Sequence, residues 1–291
     1  MMGFGNPESP RHASPLQRGA AFTAGFGGNL GLSSVRFRGF GMGGGFFWTV
    51  AVLAAVLVGM GKGGLPVVGM LGVPVLALAI SPVTAAGLLL PVFVISDMFG
   101  LYAYRAAFDR RVLAIMAVGV TMGVGIGWAT SSITPEWLVT MLVGVIGLVF
   151  ALNMLRKRGQ VADPKPADIA PGLFWGTLTG FTSFVSHAGA PPYQVYVLPL
   201  RLPKLVFAGT NTILFAYLNA IKLIPYYALG QFSLENLKVA ALLMPAAAVA
   251  VFGGAKLVKV IPEKLFFQII TWALLVISVK LIWDGAQGAA L

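Results

Sequence analysis

The stretches 59-GMGKGGLPVVGMLGVP-74 and 180-GFTSFVSHAGAPPYQVYVLP-199 are apolar segments interrupted by glycine and proline. An interrupted helix leaves backbone N–H and C=O groups unpaired, and within a bilayer only protein or cavity water can satisfy them. Two such breaks at corresponding places in two halves of a chain are a strong sequence indication of a transporter's binding site. We therefore predict that these segments meet around a solute site in a membrane protein.

The composition places the whole chain in a membrane. Of 291 residues, 58% are hydrophobic and 10% are charged, whereas a soluble domain carries about 25% charge. Cysteine is absent, which excludes disulfides, thiolate metal sites and cysteine catalysis. Two histidines and nine acidic residues leave little material for a hydrolase. We expect no enzyme activity, no cofactor and no metal site.

The net charge of +11 raises the question of nucleic acid. Most basic residues instead stand in short clusters beside apolar segments, as the positive-inside rule describes for membrane proteins. These clusters are Arg105/Arg110/Arg111, Arg156-Lys157-Arg158, Arg201/Lys204 and Lys256/Lys259/Lys264. The expected partners are the lipid bilayer and a small anionic substrate, without nucleic acid. The sequence leaves a homodimer open.

The chain divides into four segments. Residues 1–45, rich in Gly, Ser, Pro and Arg, have no apolar period and are predicted to form a disordered tail, with Met42 as an alternative start. Residues 46–155 and 173–285 form two membrane repeats. Between them, residues 156–172 carry prolines and alternating charge, which is typical of a polar linker.

An ordered series of matches indicates that the repeats arose by duplication. The matched pairs are Pro66 with Pro191, Pro74 with Pro199, Gly87 with Gly209, Asp97 with Asn219, and Pro135-Glu136 with Pro262-Glu263. We predict an all-α polytopic membrane protein in which each repeat is a broken re-entrant helical hairpin followed by three transmembrane helices.

Three crossings per repeat invert the second copy, so the fold class is two inverted-topology repeats. This arrangement places nearly every basic cluster on one side, although Arg36 and Arg38 fall on the other. A full first span with a parallel repeat corrects those two residues but strands Arg201, Lys204 and the cluster from Lys256 to Lys264 outside.

The first break carries a lysine at membrane depth. A lysine at the centre of a span costs roughly 2.5–3.5 kcal/mol on insertion scales, so Lys62 should face an anion or an aqueous cavity. The flanking Gly61, Gly63 and Gly64 permit close backbone approach, and Pro66 suits the first turn of a new half-helix with its exposed N–H groups. The alternative is a lysine that snorkels to the nearer interface.

The second break repeats the arrangement around Ser186, His187 and Gly189, with Pro191-Pro192 following. His187 stands where the counterpart of Lys62 is expected, and so is a candidate for substrate contact or proton relay. A satisfied structural histidine is the alternative. Ser183 and Ser186 are further candidates, unless they bond back to their own helix.

Two later spans carry polar side chains. Asp97 is an acid in a hydrophobic span and a candidate coupling or proton-relay residue, with Asn219 as its repeat equivalent. Lys222 lies three residues after Asn219, on the same helical face, so Asn219 and Lys222 are further candidates for the coupling or proton-relay site. Thr210 and Asn211, with Thr212, offer donors to an oxyanion. A fixed structural pair for Asp97, and helix–helix contacts for the others, are the competing interpretations.

These motifs resemble those of the TauE/SafE family of sulfite exporters. The resemblance rests on GMGKGGLP, HAGAPP, 96-SDMFGLYAYRAAFDRR-111 and 207-FAGTNTILFAYLNAIKLIPYYALGQF-232, and it covers roughly 46–284. It implies a multi-pass permease of the bacterial inner membrane that handles sulfite, sulfonates or related small anions, with the site at the two breaks. Many members have glycine alone in the first break, so Lys62 suggests that this chain selects a different anion.

The expected function is secondary transport of a small organic or inorganic anion, sulfite-like or sulfonate-like by resemblance. No ATP-binding motif is present in a supporting context, so protons or the membrane potential would drive transport. A passive anion channel, which conducts through a continuous polar pore without saturation, is the alternative.

Overall fold

The computed structural model describes residues 44–80, 82–131, 133–156, 163–229 and 234–289, and across these ranges the regular structure is entirely helical. The tail predicted for residues 1–45 lies almost wholly outside the described residues, as do residues 157–162 of the predicted linker. The predicted all-α class is confirmed.

The first half begins with a helix that ends at a break and continues as two short helices. Three long helices follow. In order, the elements are α1 Gly45–Lys62, α2 Pro66–Met70, α3 Gly72–Leu76, α4 Pro82–Tyr104, α5 Arg110–Thr130 and α6 Glu136–Arg156.

The second half repeats this order. Its elements are α7 Ile169–Ser186, α8 Ala190–Val197, a 3₁₀ turn at Leu198–Leu200, α9 Lys204–Ala228, α10 Leu234–Val260 and α11 Glu263–Ala289. In the described part of the chain, seven helices are long and apolar enough to cross a membrane, namely α1, α4, α5, α6, α9, α10 and α11. The protein is therefore a multi-pass membrane protein.

The helix after the linker begins at Ile169, four residues before the repeat boundary predicted at 173. Pro171 had suggested that the polar linker continues to residue 172. It lies in the first turn of α7, where the N–H that proline lacks has no intrahelical acceptor, so the helix accommodates it. Asp168 precedes the helix with an extended backbone (φ −74°, ψ 141°).

Each break reverses the chain through one residue of left-handed conformation. In the first, α1 ends at Lys62, Gly64 has φ 101°, and Pro66 opens α2. In the second, α7 ends at Ser186 and His187 takes φ 54°. Glycine adopts such φ values readily, whereas a histidine does so only when its surroundings hold it there.

Glycine residues let the helix that leads into each break, α1 or α7, pack closely against a long helix of the other half. A side chain at Gly123 on α5 would stand 2.0 Å from the backbone oxygen of Thr177 on α7. On the equivalent pair, a side chain at Gly63 of α1 would stand 2.5 Å from the backbone oxygen of Val251 on α10. The two interfaces are counterparts, since each joins a hairpin to the middle long helix of the opposite repeat.

Equivalent long helices of the two halves pack against each other in opposite directions. Along α4 and α9, Ala107 just beyond the end of α4 meets Gly209, while Asp97 meets Asn219 further along. Along α6 and α11, Gly144 lies against Ile282 and Trp137 lies against Gly288. In both pairs a later residue of the first helix meets an earlier residue of the second, so the helices are antiparallel.

One end of the bundle collects the basic loops. Arg111 Nε donates to the Ala167 oxygen at 3.0 Å, the Lys165 N–H donates to the Pro199 oxygen at 3.1 Å, and Lys204 Nζ donates to the Lys259 oxygen at 3.0 Å. We call this end, formed by residues 105–111, 163–168, 199–204 and 256–264, the basic face. The other end, where α6 begins and α11 terminates, is called the opposite face.

Candidate functional site

A cavity of about 80 Å³ lies where the two breaks meet α4 and α9. A single water molecule needs about 10–15 Å³ of such a cavity, so the space holds several water-sized groups. Its polar lining residues are Lys62, Ser183, His187, Asn211, Asn219 and Lys222. Five of these six come from the second half of the chain.

Lys62 forms an ion pair beside the cavity. Its Nζ lies 2.6 Å from Asp97 Oδ1, and Asn219 Nδ2 donates to Asp97 Oδ2 at 2.8 Å. Lys62 and Asp97 are 6% and 1% exposed, so both charges are withdrawn from solvent. The ring of Phe93 lies 5.3 Å from the Lys62 ammonium and supports it from another side. The fixed partner for Asp97 is therefore Lys62 rather than Arg105.

Lys222 has a different environment. Its ammonium donates to the backbone oxygen and to the hydroxyl of Ser183, both at 3.2 Å, and lies 5.8 Å from the centre of the Tyr226 ring. Among the described residues no carboxylate lies within 4 Å of its Nζ. Lys222 is 2% exposed. It is therefore a buried amine held only by neutral groups.

His187 lies at the tip of α7, where its ring is held by one tyrosine. Tyr226 OH lies 2.9 Å from His187 Nε2 and also donates to the Phe184 oxygen at 3.4 Å. Because Tyr226 follows Lys222 by one helical turn, the same face of α9 holds both the amine and the support for the imidazole. Nothing in the sequence singled out Tyr226 among the aromatic residues of the spans.

Several residues predicted for the site pack or bond beside the cavity rather than line it. Gly61 lines the cavity, whereas Gly63 and Gly64 lie against α10 and against Tyr104 with Ala208. Tyr104 OH donates to the Gly63 oxygen at 2.6 Å, which fixes the first break from the side of the basic face.

In the second half, Gly189 packs on Ser183 and Thr179. The Thr210 hydroxyl donates to the Val206 oxygen and accepts from the Asp109 N–H. Thr212 donates to the Lys62 oxygen at 3.2 Å, so it holds the last carbonyl of α1.

A second cavity of about 660 Å³ adjoins the first and extends to the opposite face. It shares Met70, Val73 and His187 with the central cavity. Glu136, Trp137 and the ion-paired Lys280 and Asp284 lie along its outer part, and Ser186 lines it near the break. We call it the vestibule. Ser186 thus belongs to the vestibule, and its hydroxyl also donates back to the Thr182 oxygen at 3.1 Å.

The central cavity has an apolar side that sequence reasoning missed. Val58, Pro66, Met70, Val73 and Phe93 line it from the first half, and Phe215 lines it from the second. Apolar residues are too common along membrane spans for any sequence pattern to single these out. Within the described ranges, no three His, Cys, Asp or Glu side chains are grouped closely enough to hold a metal ion.

A family model described as Sulfite exporter TauE/SafE matches residues 51–281, which include both breaks and every residue that lines the central cavity. No curated protein and no solved structure matches the chain.

Proposed function

The chain belongs to the sulfite exporter TauE/SafE family, and from that membership we propose that it is a secondary transporter of a small anion that binds in the central cavity. The observation that carries the proposal is the pair of buried lysines, Lys62 and Lys222, at one cavity between two broken helices. A charged amine buried inside a membrane protein is costly, and such residues commonly mark a substrate site or an ion pathway.

We also propose that the two halves are inverted-topology repeats. The antiparallel packing of α4 on α9 and of α6 on α11 supports this, because equivalent helices run in opposite directions only when the repeat axis lies in the membrane plane. Each hairpin also packs on a helix of the other half, α1 on α10 and α7 on α5, and this supports the same symmetry.

The proposed orientation places the basic face in the cytoplasm of a bacterial cell, with the protein in the inner membrane. Arg105, Arg110, Arg111, Arg201 and Lys204 all belong to this face. The positive-inside rule supports this assignment, since the loops concerned are short. The vestibule then opens to the periplasm.

In this scheme the vestibule is the access path in the present conformation. An anion enters past Glu136 and Trp137, reaches His187, and binds in the central cavity. On the basic-face side, Tyr104 bound to the Gly63 oxygen and the close contact between Gly209 and Ala107 close the path. Rocking of one repeat against the other would open that side and close the vestibule.

Transport would be coupled to protons or to the membrane potential. The acid proposed for a proton relay is Asp97, which lies beside the cavity and is paired with Lys62. The membrane potential acts directly on a moving anion, at about 2.3 kcal/mol per charge per 100 mV. Coupling through either route needs no further cofactor.

The test is transport current from purified protein in liposomes on a solid-supported membrane. Sulfite, sulfate, methanesulfonate, acetate and chloride are applied with and without a pH gradient. A saturable current for one class of anion is expected, and a dependence on the pH gradient identifies proton coupling. Large unsaturating currents for several anions identify a passive channel instead. Symport of one proton with one monoanion moves no net charge, so the pH inside the liposomes is recorded as well, and neither a current nor a change of internal pH for any anion contradicts anion transport.

A further inference from the structure

We infer that Lys222, and not Lys62, supplies the charge that holds the substrate, and that the site takes anions carrying a single negative charge. This inference rests on the proposed function, because it assigns the binding residue and the charge class of the same cavity. It reverses the roles that the sequence suggested, in which Lys62 held the anion and Lys222 served coupling.

Lys62 is already neutralised within the protein. Its ammonium is 2.6 Å from one oxygen of Asp97, and Asn219 satisfies the other oxygen at 2.8 Å. An anion that engaged Lys62 would have to displace or share a buried carboxylate, and its own charge would then lie beside that of Asp97. Two negative charges in direct contact with the same ammonium lie close together, and they repel strongly where water is excluded.

Lys222 has no such partner within the described ranges of the chain. The protein groups at its ammonium are the Ser183 carbonyl oxygen, the Ser183 hydroxyl and the Tyr226 ring, all of them neutral. A buried ammonium without a counter-ion is unfavourable. An anion in the adjoining cavity provides the missing counter-ion and forms the stronger, charge-assisted type of hydrogen bond.

Uncommitted neutral groups lie around the same part of the cavity. Asn211 lines it and can offer its side-chain NH₂ group as a donor to an anion, while its Oδ1, an acceptor, is buried with no hydrogen-bond partner among the described residues. The Ser183 hydroxyl lies against Lys222. Helix-end amides contribute less than the sequence suggested, since Pro191 and Pro192 remove two N–H groups from the first turn of α8.

The charge count sets the class of anion. In the part of the chain that the structure describes, the acidic and basic groups around the cavity are Lys62 from α1, Asp97 from α4, Lys222 from α9 and His187 after α7. Lys62 and Asp97 cancel, and with a neutral imidazole one positive charge remains, on Lys222. A singly charged anion leaves the occupied cavity neutral. A dianion would leave one negative charge uncompensated in a buried site.

The experiment compares three variants of the full chain by ligand-induced thermal stabilisation in detergent, using methanesulfonate and acetate as monoanions and sulfate as the dianion at matched ionic strength. Lys222→Met keeps the length of the side chain and removes the charge. The double variant Lys62→Met/Asp97→Asn removes both charges of the ion pair together. Lys238→Met, an exposed lysine on α10, controls for the loss of one positive charge elsewhere.

We expect the wild-type protein to be stabilised by at least one monoanion and not by sulfate. Loss of a hydrogen bond to a charged group should weaken monoanion binding by about 10- to 100-fold in Lys222→Met. The double variant should lose far less affinity than Lys222→Met does, and Lys238→Met should bind as the wild type does.

Wild-type affinity in Lys222→Met, or a larger loss in the double variant than in Lys222→Met, overturns the assignment of Lys222 but leaves anion transport standing. Tighter binding of sulfate than of the monoanions overturns the charge class. A wild-type protein that transports none of the anions and is stabilised by none of them overturns the proposed function, and this inference falls with it.

Discussion

Asn219 donates a hydrogen bond of 2.8 Å to Asp97, and the two residues are equivalents in the two halves of the chain. Asp97 lies fifteen residues after the first residue of α4 (Pro82), and Asn219 lies fifteen after the first residue of α9 (Lys204). Residues that are exchanged by a two-fold axis and touch each other must lie next to that axis. In the proposed inverted-repeat arrangement the site is therefore built at the axis of pseudo-symmetry, and the difference between aspartate and asparagine makes it asymmetric.

The ion pair at this axis should be strongly coupled. Asp97→Asn leaves the Lys62 ammonium buried without its counter-ion, which should cost about 3–5 kcal/mol of stability. Adding Lys62→Met to the same chain should recover most of that loss. Thermal unfolding in detergent, followed by the fluorescence of the six tryptophans, compares Asp97→Asn, Lys62→Met and the double variant with the wild type. Additive losses from the two single substitutions would show that the residues do not interact.

The inverted topology makes a prediction at two matched glutamates. Glu136 and Glu263 are exposed residues that open α6 and α11, each directly after a proline. Since the chain has no cysteine, Glu136→Cys and Glu263→Cys each provide one thiol. A membrane-impermeant thiol reagent should label them from opposite sides of the membrane. Labelling of both from the same side requires a parallel repeat.

The membrane class and the positions of the breaks could be predicted from sequence because both depend on local composition. The glycine and proline signals are local rules, and Gly64 and Pro66 behave as those rules state. His187 at φ 54° is a different case, since a left-handed histidine is held by the Tyr226 hydroxyl, which comes from a distant part of the chain.

The surroundings of the two lysines could not be predicted from the sequence. Lys62 looked uncompensated because its partner Asp97 is 35 residues away (97 minus 62), on another helix. Lys222 looked like a neighbour of Asn219, and only the structure shows that its ammonium donates to Ser183 of α7. Which charge is cancelled depends on tertiary contacts, and these leave no pattern in one sequence.

Close packing of α5 on α7 gives a prediction with an internal control. A methyl group at Gly123 would meet the Thr177 backbone oxygen at 2.0 Å, whereas at Gly125, two residues on, it would meet nothing within 4 Å. Gly123→Ala must force the helices apart and should lower stability by about 1–3 kcal/mol. Gly125→Ala should leave the melting temperature unchanged or raise it, because alanine favours helix over glycine. Equal behaviour of the two variants in thermal unfolding would contradict this interface.

The vestibule predicts which side of the membrane reaches the site. Ser186 lines the vestibule near the tip of α7, so Ser186→Cys should react with an impermeant thiol reagent added from the opposite face. Ala208 is fully buried beside Gly64, under the contacts that close the basic-face side, so Ala208→Cys should resist reagent added from the basic face. Lys165→Cys, exposed on the basic face, shows that the reagent is active there. A site open to the opposite face gives fast labelling of Ser186→Cys and none of Ala208→Cys. The reverse result, with 208 labelled from the basic face and 186 protected, would mean that the resting transporter opens towards the basic face and that the vestibule is not its access path.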